Sequence, residues 1–119
     1  MLIAVPRETK PGEKRVALVP DIISKLTKAG LSVVIESNAG LASEYADEQF
    51  KAAGAQIKTG DVLAGSDVVL SVQPLTPSQM ASLKKGAITI SFLSVVNQRE
   101  SIDAAVAAGV TAFCSYINF

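Results

Sequence analysis

The chain has 119 residues, 49% of them apolar and 18% charged, and eleven basic groups balance eleven acidic ones. Zero net charge argues against nucleic acid and against a polybasic membrane patch, both of which want a basic surplus. With no His and one Cys, Cys114, there is no internal disulfide and no basis for a zinc site or a Cys/His nucleophile.

The length fits one domain. Its charge is lower than the usual quarter or so, and its mean hydropathy is +0.36, so either a partner covers surface or most strands are buried on both faces. The longest oily run, AITISFLSVV (87–96), is too short to span a bilayer, which needs roughly 20 residues. No cleavable leader pattern opens the sequence, and the single thiol suits a reducing compartment.

In chain order, LIAV (2–5) reads as a first buried strand. PRETKPGEKRVALVP (6–20) follows and holds Arg7, Glu8, Lys10, Glu13, Lys14 and Arg15, six of the 22 charges in nine positions. A link of thirteen or so residues is long for a strand-to-helix connection, where about two to six is usual, and long loops tend to be functional or disordered. Pro11-Gly12 marks a turn, after which RVALVP becomes apolar and is expected to fold back onto the sheet. That places Arg15 near a cleft, with Lys10 and Lys14 in water. An Arg there can grip a carboxylate or phosphate. The plainer reading is a wet loop with local Arg–Glu pairs, each adding at most about 1 kcal/mol.

Residues 20–29 put Ile22, Ile23, Leu26 and Ala29 on one helical face, with Pro20 at the first position, Asp21 and Lys28 matching the dipole, and Gly30 as the stop. LSVVIE (31–36) is the second strand. NAGLASEYAD (38–47) is a polar link whose Tyr45 reads as a buried anchor. A short helix is expected over 47–53, with Asp47 as N-cap and Gly54 as stop. AQI (55–57) and DVVLSV (67–72) are strands. TPSQ opens a helix over 76–85, with Thr76 and Gln79 spaced for a capping box and Gly86 as the stop. AITISFL (87–93) is a strand, 97–108 a helix ended by Gly109, and VTAFCS (110–115) the last strand, with Cys114 as a core thiol. Asp47/Glu48 and Glu100/Asp103 sit at helix starts and are explained by capping and dipole effects.

Strand–helix alternation with unalternating Val/Ile runs predicts an α/β fold, a three-layer, doubly wound, mostly parallel sheet. Ligands in such sheets lie beyond the carboxyl ends of the strands, here segments 6–19, 73–76 and 94–98. The glycines are 12, 30, 40, 54, 60, 65, 86 and 109, so no Gly-x-Gly-x-x-Gly is present. The fold is thus expected to be Rossmann-like without the glycine fingerprint.

PRETKPGEKRVALVP, then VVIESNAGLAS and DEQFKAAGA, resemble the N-terminal domain shared by alanine dehydrogenase and the alpha subunit of proton-translocating NAD(P) transhydrogenase, over essentially the whole chain. The alanine dehydrogenase branch carries a Lys after the fourth strand that holds the pyruvate carboxylate, and a catalytic His after the fifth. Here Gln73 and Ser94 stand at those places, and Ser71 replaces a Lys common to both branches. An amide supplies no cation and a serine no imidazole-like proton donor. The resemblance therefore favours the transhydrogenase branch, in which hydride passes between NAD(H) and NADP(H), coupled to proton translocation. It implies residues 1–119 as a single N-terminal domain, inactive alone, with an NAD(H)-binding second domain absent from this chain and NADP(H) held by a partner subunit. It further implies a beta subunit or membrane part as partner, a homodimer in the intact assembly, and a cytoplasmic location peripheral to the inner membrane. The alternatives are a fragment of an alanine dehydrogenase-like or saccharopine dehydrogenase-like oxidoreductase, and a non-enzymatic dimerising or anion-binding module. No catalytic or metal-binding residue is assigned. Arg15 and Gln73 are the cleft candidates, with Arg15 expected to order the loop and not to do chemistry.

Overall fold

The computed structural model describes residues 1–73, 75–91, 109 and 111–114. Its strands are β1 (Leu2–Val5), β2 (Ser32–Glu36), β3 (Gln56–Lys58), β4 (Val68–Ser71), β5 (Ile88–Ser91) and β6 (Thr111–Cys114). They form one sheet in the order β3-β2-β1-β4-β5-β6, and every described pair is parallel. The register sets Ile3 beside Val33 and Val68, and Leu70 beside Ile90. Three described α-helices, α1 (Pro20–Lys28), α2 (Asp47–Ala52) and α3 (Pro77–Ala81), accompany them, with a short 3-10 helix over Leu41–Ser43. Among the described residues no helix is long and apolar enough to cross a membrane.

Successive strand residues point to opposite faces, and both faces are covered. Ala4, Val34 and Val69 pack on one side with Val62, Leu63, Met80 and Leu83. Ile3, Val5, Val33 and Ile35 pack on the other with Ile23 of α1 and Phe50 of α2. This is the expected three-layer arrangement; β1 and β2 read as unbroken apolar runs because both of their faces are buried, whereas Val68 and Leu70 of β4 are only half-buried on the second face.

The glycine stops of the first two helices have a shared geometry. Gly30 (φ 90°) and Gly54 (φ 105°) take the left-handed conformation just past α1 and α2. The next amide then reaches back, Leu31 to the Leu26 carbonyl at 3.1 Å and Ala55 to the Phe50 carbonyl at 3.0 Å, which satisfies carbonyls that a helix end leaves open. Ile23 of α1 is fully buried, whereas Ile22, expected on the same face, is 40% exposed and Ala29 is exposed.

Two helix boundaries differ from expectation. Asp47 is the first residue of α2 and not its cap; Ala46 holds that position, and the Gln49 side chain accepts the Ala46 N–H at 2.7 Å. Asp47 instead turns to the end of β2, accepting from the Ser37 hydroxyl and the Asn38 N–H, both at 2.9 Å. The capping box at Thr76/Gln79 forms in both directions, at 2.9 and 3.2 Å, but α3 stops at Ala81 and Gly86 ends a separate turn. The Ser82 hydroxyl donates to the Gln79 carbonyl at 2.7 Å, competing with the helix ladder where the chain swings Leu83 into the core. The expected helix over 97–108, Ser94, and the side chain of Cys114 lie outside the described residues.

Candidate functional site at the reversal of strand order

β1 and β4 lie side by side, yet the chain continues from β1 towards β2 and from β4 towards β5, on opposite sides. Crevices open at such a reversal because the loops leaving the two strands part from each other. Residues 6–19, and the described residues 72, 73, 75 and 76, belong to those loops.

Glu8 joins them. Its carboxylate accepts the N–H of Val72 at 3.1 Å and of Gln73 at 3.0 Å. Glu13 makes the second link. Its two oxygens receive the Arg15 backbone N–H (3.0 Å), Arg15 Nε (2.8 Å), Arg15 Nη2 (2.8 Å) and Gln73 Nε2 (2.6 Å). Lys10 Nζ donates to Gln73 Oε1 at 3.5 Å. The loop that looked wet is therefore tied to its neighbour at the backbone and both ends of the Gln73 amide. The Pro11-Gly12 turn lets it double back, with Gly12 at φ 84° and the Glu13 N–H donating to the Lys10 carbonyl at 3.0 Å.

The two carboxylates are pushed in opposite directions. Burial raises the Glu8 carboxyl above the ordinary range, the negative charge of Glu13 adds to this, and the two amide N–H groups and Arg15 only partly offset it. Glu13 is held down at about 2, first by the Arg15 hydrogen bond and then by Gln73 and the Arg15 amide. Arg15 is correspondingly raised by Glu13.

A cleft of about 310 Å3 lies between the loops, walled by Pro6, Glu8, Lys10, Gln73 and Thr76. Ser71, 2% exposed, forms part of its lining, and its hydroxyl lies 3.4 Å from that of Ser91, at the ends of β4 and β5. That volume is at the small end for ligand sites, enough for a metabolite or one ring. Arg15 and Gln73 line a more open recess beside it with Lys10 and Lys14. Lys10, expected in water, is exposed but borders both hollows. The local Arg–Glu pair of the plainer reading is present as Arg15–Glu13. Tyr45 is half-buried, its ring 6.1 Å from that of Phe50.

Sequence reasoning passed over Glu8 and Glu13 as site residues. The available signal was Glu8's position, three residues past the buried end of β1 on the edge where ligands bind. Both of its oxygens are taken up by backbone, so its role here is to hold the loops.

The residues present do not fit a dinucleotide pyrophosphate. Where a glycine-rich turn would offer free N–H groups, this loop places two carboxylates, and the N–H groups of Val72 and Gln73 are spent on Glu8. No step through such a cofactor is assigned to this chain.

Residues 4–115 match the family model described as "Alanine dehydrogenase/PNT, N-terminal domain". Alanine dehydrogenase 1 of Staphylococcus aureus (strain N315) is 37% identical over 112 residues, covering 94% of this chain and 30% of that protein. The crystal structure of transhydrogenase from Sinorhizobium meliloti superposes with a TM-score of 0.90 at 31% identity, over 96% of this chain and 34% of that one. An L-alanine dehydrogenase structure gives 0.86 at 32%, over 94% and 31%. The chain thus spans about a third of the length of these relatives, all of them oxidoreductases by name. With the match running from β1 to the end of the described sheet, the chain belongs to the alanine dehydrogenase/PNT N-terminal domain family.

Proposed function

We propose that the chain serves as the N-terminal domain of an NAD(P) transhydrogenase alpha subunit, one wall of a cleft whose other wall is an NAD(H)-binding domain. The observation that carries this is Gln73. It stands at the strand-order reversal with its amide nitrogen on Glu13 and its amide oxygen facing Lys10. A neutral side chain bonded at both ends supplies no cation for the carboxylate of an amino or keto acid. In the intact assembly, hydride passes between NAD(H) on the second domain and NADP(H) on a partner subunit, coupled to proton translocation. The assembly is a homodimer seated peripherally on the inner membrane through its beta subunit. Arg15 orders the charged loop through Glu13 and takes no part in chemistry.

A second reading, an alanine dehydrogenase-like enzyme, is favoured by the 37% identity to alanine dehydrogenase 1. One experiment separates the two. A polypeptide joining this domain to its cofactor-binding domain is given NADH with an oxidised NADP analogue and the partner subunit, and separately NADH with pyruvate and ammonium. Hydride transfer to the analogue without reductive amination supports the first reading, and reductive amination overturns it. The 119-residue chain alone is expected to give no heat with NADH in calorimetry, and micromolar binding would refute its inactivity in isolation.

A further inference from the structure

We propose that the cleft between β1 and β4 receives a small primary carboxamide, its carbonyl oxygen accepting from the Ser71 hydroxyl and its NH2 donating to the Glu8 carboxylate. The inference holds whichever branch of the family the chain serves.

The donor comes from a pair of buried hydroxyls. Ser71 and Ser91 are register partners at the ends of β4 and β5, 2% and 5% exposed. Among the described residues, the 3.4 Å contact between their hydroxyls is the side-chain hydrogen bond that either one makes. A hydroxyl donates once. If Ser71 donated to Ser91, the Ser91 proton would be left in the core without an acceptor, which burial makes costly. The opposite order, with Ser91 donating to Ser71, leaves the spare proton on the residue that lines the cleft. Ser71 is thereby a donor for an oxygen that enters.

Charge decides what that oxygen belongs to. Glu8 lines the same cleft and is fixed on the amide of Val72, the residue after Ser71. Each of its oxygens accepts one backbone N–H, and a carboxylate oxygen has a second lone pair to offer. A carboxylate ligand at Ser71 would face this like charge. The cations of the lining, Arg7 and Lys10, are exposed, with Arg7 drawn towards Glu36 and Lys10 Nζ on Gln73 Oε1, so they do not replace the hydration that a buried anion loses. A neutral carbonyl meets neither penalty, and of the neutral carbonyl groups a primary amide also brings the donor that Glu8 can take. Pro6 and Leu75, both buried, give the carbon frame an apolar wall, and about 310 Å3 holds one ring.

The test titrates the 119-residue chain at neutral pH with benzamide and, separately, with benzoate, which has the same shape and a charge, following the backbone amides by NMR. Benzamide is expected to shift the Thr9, Ser71 and Gln73 amides with millimolar affinity, and benzoate to bind about tenfold more weakly or worse. Ser71→Ala should weaken benzamide about tenfold, with the amide spectrum away from the cleft unchanged. Glu8→Gln should narrow the gap between the two probes. Nicotinamide mononucleotide, run in parallel, tells the source of the amide: shifts of the same three amides support a carboxamide carried on a nucleotide, and benzamide binding without them supports a free one. Benzoate binding as tightly as benzamide, equal benzamide affinity in Ser71→Ala, or no shift of these amides at saturating benzamide overturns the proposal. If either variant does not fold, the comparison of benzamide with benzoate on the unaltered chain decides alone.

Discussion

Glu13 carries four donors on one carboxylate, and its charge is where the cleft is most open to measurement. Changing Glu13→Gln keeps the shape and an acceptor but removes the negative charge that Arg15 grips through two side-chain nitrogens at 2.8 Å. A carboxyl lowered from 4.5 to about 2 corresponds to roughly 3 kcal/mol of native-state preference for the ionised form, at 1.36 kcal/mol per unit. Glu13 is 4% exposed at its side chain but Arg15 is 43% exposed, so solvent screening reduces this to about 1–2 kcal/mol. The sign follows from the direction of the shift. A depressed carboxyl stabilises above its unfolded value and loses that contribution as pH falls through the folded one. The stability gap between the native chain and Glu13→Gln should be full at pH 7, begin to close near pH 4.5 and vanish near 2. Urea unfolding followed by circular dichroism at several pH values measures it. A gap that is absent at pH 7, or that keeps its size at pH 3, would refute the reasoning.

Glu8 should behave oppositely in the same melts. Its raised carboxyl contributes stability that is full below the unfolded value and lost as pH rises through the folded one, so Glu8→Gln should remove a decline seen on the neutral side of 4.5 in the native chain; an unchanged profile would count against the burial argument. At Gly40 an added Cβ would meet the Phe50 ring at 2.5 Å and Tyr45 Cβ at 2.9 Å, so Gly40→Ala should cost about 1–3 kcal/mol in denaturant unfolding, and the double change with Phe50→Leu should cost less than the sum of the two. Strict additivity would sink that claim. Thr76→Ala removes the hydroxyl that accepts the Gln79 N–H and should cost about 1 kcal/mol, with Thr76→Ser recovering most of it; equal losses in both variants would show that the cap does not act through its oxygen.

Much of this protein is written in short-range signals. Apolar Val/Ile runs marked β1 and β2, which are buried on both faces and so show no polar alternation to obscure them. Gly30 and Gly54 marked helix ends, because only glycine enters the left-handed conformation cheaply. Thr76-Pro77-Ser78-Gln79 announced its box, since both partners lie within four residues. The missing glycine fingerprint and the unusual loop length were also plain, and together they located the crevice.

What the linear pattern could not contain is which loops face each other. Only the order β3-β2-β1-β4-β5-β6 brings Glu8 to the Gln73 amide, 65 residues away, and Gln73 to Glu13, 60 residues away. It likewise turned Asp47 from a cap into a tie on β2 and gave one of six clustered charges a part-buried pair of backbone partners. Strand and helix formation answer to neighbours a few positions apart, whereas a carboxylate's partner and its proton affinity are set by burial and by charges that chain crossings bring near. The sequence by itself determined the layers and the empty place where a phosphate turn would be; the packed sheet alone decided that two of the chain's own carboxylates would fill it.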